Sequence, residues 1–77
     1  MNRNEIERLQ ELISIEDVEA ISSMLEEKQK NEEILAFEIQ KSNDGIICVD
    51  ILEPYLFDAK FWHRIFVDEI CTNLIYD

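Results

Sequence analysis

The chain has 77 residues, of which 47% are hydrophobic and 32% charged, and its 18 acidic and 7 basic side chains give a formal net charge of -11. This length fits a single domain, residues 1–77, and excludes a second one. The acidity argues against direct binding to DNA, RNA or an anionic membrane, because these surfaces are bound by clustered Lys and Arg.

Compartment follows from the absence of targeting signals in the sequence. No apolar run approaches the ~20 residues that a membrane span needs, and the N-terminal MNRNEIERLQ lacks the apolar stretch of a signal peptide. We therefore expect a cytoplasmic protein. In that compartment Cys48 and Cys71 are expected to be reduced, buried thiols, with a disulfide between them as the alternative.

Two helices are predicted first along the chain. Apolar residues recur at helical spacing in NEIERLQELI, where Asn4 stands in position to cap the helix. Ser14 and Asp17 have the spacing of a capping box, which predicts that a second helix begins at Ile15. The alternative is one unbroken helix from Asn4 to Lys30, since serine is tolerated within a helix.

The polar side of the second predicted helix carries several carboxylates. Side chains at i,i+3 and i,i+4 spacing lie roughly 5–6 Å apart, close to the spacing of backbone phosphates. Such a face can occupy the Lys and Arg side chains of a groove that normally binds a polyanion. A solvated surface that serves solubility alone is the alternative. The predicted partner-binding carboxylates are Glu16, Glu19, Glu26 and Glu27.

The clearest hairpin signal is the segment EEILAFEIQKSNDGIICVDILEP. Apolar and polar residues alternate on both sides of the turn, as expected of two strands. A two-residue loop would place Asp50 across from Ile39 on the buried face. A three-residue loop with Gly45 in the left-handed conformation pairs Ile39 with Val49 instead, and we predict this register.

The last third of the chain is predicted to be a helix capped by Asp58, which gives an α+β domain of order ααββα. Its core-facing arc on a helical projection contains Trp62, Phe66, Val67, Ile70, Cys71 and Leu74, with His63 near the centre. Phe61 and Ile65 then form an apolar ridge on the opposite side of the helix, which we predict to bind a partner by pairing symmetrically with the same ridge of a second copy.

Enzymatic chemistry has little support in the sequence. A Cys–His nucleophilic site would use Cys48 or Cys71 with His63, but no orienting motif accompanies them. His63 and Cys71 lack the second close-spaced pair that a metal site requires. The single glycine, Gly45, is used in the hairpin turn. We therefore expect no catalytic residue, metal or cofactor.

Two functions remain, and no motif identifies a family. The profile is similar to that of phage-encoded inhibitors, immunity proteins and antitoxins in its size and acidity only. The first hypothesis is accordingly an inhibitor that offers its acidic helix face to a basic, nucleic-acid-handling or toxic protein. The alternative is a self-assembling structural or adaptor subunit that forms an obligate homodimer through this apolar ridge and the unpaired edge of the hairpin.

Overall fold

A computed structural model describes residues 1–76. Two helices precede a four-stranded antiparallel sheet in which each strand pairs with its neighbour in the chain, in the order β1-β2-β3-β4. The helices pack on one face of this sheet. Their bounds are Arg3–Ser14 (α1) and Val18–Lys30 (α2), and those of the strands are Ala36–Lys41 (β1), Ile47–Pro54 (β2), Lys60–Ile65 (β3) and Ile70–Ile75 (β4).

The predicted order ααββα is wrong, because the segment predicted as a C-terminal helix forms strands β3 and β4 instead. Strand β3 pairs with the free edge of β2, so that Ile51 lies opposite His63 and Val49 opposite Ile65. This pairing satisfies the second edge of β2, which a two-stranded hairpin would leave open.

The break between the helices is confirmed, although both caps differ from the predicted ones. α1 begins two residues earlier than expected, with Asn2 and Glu5 forming a reciprocal capping box. Glu16 adopts a left-handed φ of 55°, which interrupts the helical path. α2 therefore begins at Val18, where the Asp17 side chain accepts a hydrogen bond from the backbone N–H of Ala20.

The first hairpin has the predicted register. Ile39 pairs with Val49, and Gly45 has a φ of 82° at the end of a three-residue loop. The loop is closed by hydrogen bonds from the N–H of Ser42 to the carbonyl of Ile46 and from the N–H of Gly45 to the carbonyl of Ser42. The apolar residues of both strands are thereby directed toward the helices.

The core lies between the helices and the inner face of β1–β3. Its fully buried members include Leu9, Ile21, Leu25, Ile34, Val49, Ile51 and Ile65. The predicted core arc of the last segment does not exist, because side chains of a strand alternate between the two faces of a sheet. Of its members, Trp62 and Phe66 are half-buried, whereas Val67, Ile70, Cys71 and Leu74 are exposed.

Lys28 is the one lysine that folding buries, with 9% of its surface exposed. Its ammonium group forms ion pairs with the carboxylates of Glu5 and Glu33. These contacts join α2 to the start of α1 and to the segment that precedes β1. Among residues 1–76 there is no helix with the length and apolar character needed to cross a membrane.

Candidate interaction surface

Strand β4 forms an open edge of the sheet, and all six of its residues are exposed. Residues 70–76, ICTNLIY, contain no Asp, Glu, Lys or Arg, and no other stretch of the chain without these residues is as long. Edge strands are usually protected from other chains by charges, proline or bulges. The opposite edge strand, β1, carries Glu38 and Lys41, whereas β4 carries no such protection.

The backbone groups that β4 presents to its open side follow from the hydrogen bonds of the neighbouring turns. Phe66 donates its N–H to the carbonyl of Glu69 at the β3–β4 turn. Because hydrogen-bonded and non-hydrogen-bonded pairs alternate along an antiparallel ladder, Cys71, Asn73 and Ile75 face β3. The N–H and C=O groups directed away from the sheet are those of Ile70, Thr72 and Leu74.

α1 packs on β3 and α2 on β1, and the helix-side residues of β4, which are Ile70, Thr72 and Leu74, remain exposed. Three polar side chains contact one another on the helix side of the sheet, where β2, β3 and β4 lie side by side. His63 binds Glu53 Oε2 through Nε2 at 2.7 Å and Thr72 Oγ1 through Nδ1 at 3.0 Å. The imidazole thus links three strands in a pocket of about 350 Å³ that Tyr55 and Phe61 also line.

Glu53 is the electrostatic centre of this pocket. Burial raises the pKa of its carboxyl group, but hydrogen bonds from the Met1 α-amino group and from His63 outweigh burial, and the pKa is lowered below 4.5. A carboxylate, an imidazole and a hydroxyl in series also occur in nucleophilic triads. Here both ring nitrogens and both carboxylate oxygens are engaged in contacts that hold the N-terminus and three strands together, so we assign the group a structural role.

The face of the sheet opposite the helices carries an ion pair near its centre. Arg64 donates to both carboxylate oxygens of Asp50, at 2.8 and 3.0 Å, and Gln40 donates to the same carboxylate. The guanidinium lies 4.8 Å from the ring centre of Trp62. The hydrogen bonds to Asp50 raise the pKa of Arg64 above its ordinary value. Arg64, Asp50 and Gln40 therefore form a polar cluster on this face, in which the charges of Arg64 and Asp50 are paired within the chain.

Apolar side chains cluster at the end of the sheet where β4 finishes. Lys60 pairs with Ile75, which places the β2–β3 turn beside the end of β4. Phe57, at the tip of that turn, is 99% exposed and has a left-handed φ of 58°. Its exposed neighbours at this end include Tyr55, Leu56, Leu74, Ile75 and Tyr76. Several exposed apolar side chains beside an open sheet edge are typical of a site that another chain covers.

The predicted acidic site is only partly assembled. Glu16 lies in the turn before α2 and not on the helix, with its carboxylate 3.9 Å from the ammonium group of Lys41. Glu19, Glu26 and Glu27 are exposed on α2, and no ion pair to them is found within residues 1–76. They form an open acidic surface, but the structure does not bring Glu16 into it.

The predicted apolar ridge is not formed. Phe61 and Ile65 lie on strand β3, and Ile65 is 0% exposed because it packs in the core. Phe61 is half-buried beside Tyr55, with 4.5 Å between their ring centres. The apolar surface lies on β4 instead. The uncharged run at residues 70–76 was the sequence signal for it, and interpreting that segment as a helix concealed it.

The two thiols are unbridged, as predicted, but Cys48 is half-buried and Cys71 is exposed. Burial and the neighbouring Asp50 carboxylate raise the pKa of the Cys48 thiol. Within residues 1–76, no group of three or more His, Cys, Asp and Glu side chains is arranged to hold a metal ion.

Comparison with protein-family models, curated proteins and solved structures returns no match to this chain.

Proposed function

We propose that this chain is a small, non-enzymatic protein-binding module that binds by pairing strand β4 with a strand of another chain. The supporting observation is that the only long uncharged segment of a highly acidic protein forms an unprotected sheet edge. Main-chain hydrogen bonds of an added strand supply affinity in such complexes, and alternate side chains supply specificity.

The apolar corner beside β4 extends this surface. Phe57, Leu56 and Tyr76 provide aromatic and aliphatic groups of the type that dominate binding energy in protein interfaces. A cytoplasmic location fits the module, since its two free thiols would persist in a reducing compartment.

Placing a charge on the edge tests the proposal. Leu74→Lys puts an ammonium group on β4, and Val18→Lys is a matched control, since these side chains are 38% and 42% exposed and Val18 lies on α2. We expect Leu74→Lys to abolish association with other chains, whether copies of itself or proteins captured from cells that express it, and Val18→Lys to retain it. Equal association by both variants would contradict the proposal.

A second candidate function is the capture of a basic protein by the acidic surface of α2, as an inhibitor that competes with a polyanion. Its support is that Glu19, Glu26 and Glu27 are exposed, whereas Glu5, Glu7 and Glu11 are engaged in ion pairs within the chain.

Charge reversal separates the two candidates. Glu19→Lys combined with Glu26→Lys should leave stability within about 0.5 kcal/mol of the wild type, because these side chains are on the surface. If the acidic surface binds the partner, the double variant loses capture and the wild-type complex weakens steeply as salt is raised. If capture survives in the double variant and fails in Leu74→Lys, the acidic surface serves solubility only.

A further inference from the structure

We propose that the strand that pairs with β4 is β4 of a second copy of this chain, antiparallel and related by a twofold axis at Thr72. The two four-stranded sheets would then join into one continuous sheet. This inference rests on the proposed function, since it names the occupant of the same edge.

The backbone of β4 is self-complementary about Thr72. Its outward-facing residues are Ile70, Thr72 and Leu74, so the set is symmetric about the middle one. In an antiparallel pair centred on Thr72, this residue lies opposite its own copy and Ile70 lies opposite Leu74 of the second copy. Each of these is a hydrogen-bonded pair, and every outward N–H and C=O of the strand finds a partner.

The side chains match in the same register. On the helix side, each Ile70 lies opposite the second copy's Leu74, so the register forms two pairs of exposed apolar side chains, one on each side of the Thr72 pair. On the open face, Cys71 lies opposite Asn73 of the second copy. Burying apolar side chains that are exposed in the single chain favours association.

Charge distinguishes a second copy from a basic partner. β4 has no carboxylate that could form an ion pair with a basic strand, whereas β4 of a second copy is itself uncharged and requires no such pair. In the register about Thr72, Asp68 and Glu69 lie opposite the second copy's Tyr76 and Ile75, so these acids do not face each other.

The open carboxylates of α2 lie away from the proposed axis. α2, with its open carboxylates, packs on β1 at the opposite edge of the sheet. Three interstrand spacings of about 4.8 Å separate β1 from β4, or roughly 14 Å, which exceeds the Debye length of about 8 Å at physiological salt. Repulsion between the acidic helices of two copies is therefore screened.

Cysteine cross-linking tests the register. In a background with Cys48→Ser and Cys71→Ser, Thr72→Cys places a thiol opposite its own copy. The Cα separation of such a pair is about 5.5 Å, within the range of about 4.4–6.8 Å that a disulfide requires. Leu74→Cys is the matched control. In the proposed register this cysteine lies opposite Ile70 of the second copy, four residues along the strand from the second copy's own cysteine. Under mild oxidation we expect most Thr72→Cys chains to form covalent dimers and Leu74→Cys chains to remain single.

The wild-type protein should sediment at twice the mass of one chain. Sedimentation as a single chain at high micromolar concentration, with no cross-link in Thr72→Cys, would overturn the second copy as the occupant. The proposed function would then be tested separately, by the capture experiment with a foreign partner. It would stand if the wild type and Val18→Lys capture that partner and Leu74→Lys does not. Equal cross-linking of Thr72→Cys and Leu74→Cys would overturn the twofold register.

A second pair of variants keeps Thr72 and its contact with His63 intact. Ile70→Lys with Leu74→Glu places opposite charges across the proposed interface twice, whereas Ile70→Lys with Leu74→Lys places like charges there. We expect the first variant to remain dimeric and the second to be monomeric while both stay folded by circular dichroism. Identical assembly of the two would overturn the inference.

Discussion

At the scale of single residues, Gly45 shows how backbone conformation fixes the first hairpin. Its φ of 82° is disfavoured for residues with a Cβ atom, although a Cβ there would meet no neighbour within 4 Å. The cost of Gly45→Ala is therefore purely conformational, and we expect a loss of about 1–2 kcal/mol in the free energy of unfolding by urea. Gly45→Asn should lose less, because asparagine tolerates this region, and equal losses would contradict the assignment.

A second residue-scale prediction concerns the carboxyl group of Glu53, whose lowered pKa makes stability depend on pH. A carboxylate with a depressed folded pKa stabilises the protein above its ordinary value of 4.5, and this contribution is lost as pH falls through the folded pKa. We expect the difference in unfolding free energy between wild type and Glu53→Gln to shrink from about pH 6 to about pH 3. Glu38→Gln, at an exposed carboxylate, is the control, and a pH-independent difference for Glu53→Gln would contradict the assigned contacts.

At the scale of elements, the first two-thirds of the fold could be predicted because its signals are local. The helix break needs only the Ser14–Asp17 segment, and the hairpin register needs only Gly45 and the alternation around it. The cap positions were wrong by two or three residues, since Asn2 and Asn4 both suit an N-cap and the choice depends on Glu5.

The C-terminal segment could not be predicted because its sequence fits two periods. Trp62, Phe66 and Ile70 recur at helical spacing, while Phe61, His63 and Ile65 alternate as in a strand. The β3–β4 turn also has no Gly, Pro or Asn to mark it. What decides the outcome is non-local, because the free edge of β2 needs a neighbour and β3 provides it.

The candidate surface on β4 could not be predicted either, because the segment that forms it was predicted to be a helix. The exposure of Glu19, Glu26 and Glu27 follows from helix periodicity alone. The open edge of β4 becomes visible only when residues 70–75 are recognised as the last strand of the sheet. Ile65 illustrates the consequence, since a helix would expose it and the strand buries it completely.

Ile65 also supplies the prediction for this scale. Ile65→Ala should destabilise the protein by about 2–5 kcal/mol, because it removes a fully buried side chain from the core. Phe57→Ala removes a larger side chain that is 99% exposed and should change stability by less than about 0.5 kcal/mol. Chemical denaturation of the two variants measures both values. A small loss for Ile65→Ala would mean that β3 does not face the core as described.

At the scale of the whole molecule, the open carboxylates of α2 and the uncharged strand β4 lie at opposite edges of the sheet. α2 and its carboxylates lie over β1, while the uncharged β4 and the apolar corner around Phe57 form the other edge. Under the proposed function, the strand that would pair with another chain is itself free of charge, and the carboxylates that favour solubility lie on α2. This distribution favours β4 over β1 as the edge that the proposed function uses.

The central claim is that the outward backbone groups of β4 are hydrogen-bonded to another strand, and amide hydrogen exchange measured by NMR tests it residue by residue. The amides of Cys71, Asn73 and Ile75 face β3 and serve as internal controls that are protected in the single chain. We predict that the amides of Ile70, Thr72 and Leu74 gain protection as wild-type protein concentration rises, and that Leu74→Lys abolishes this gain. Rapid exchange of these three amides at every concentration, and also with any captured partner present, would contradict the account.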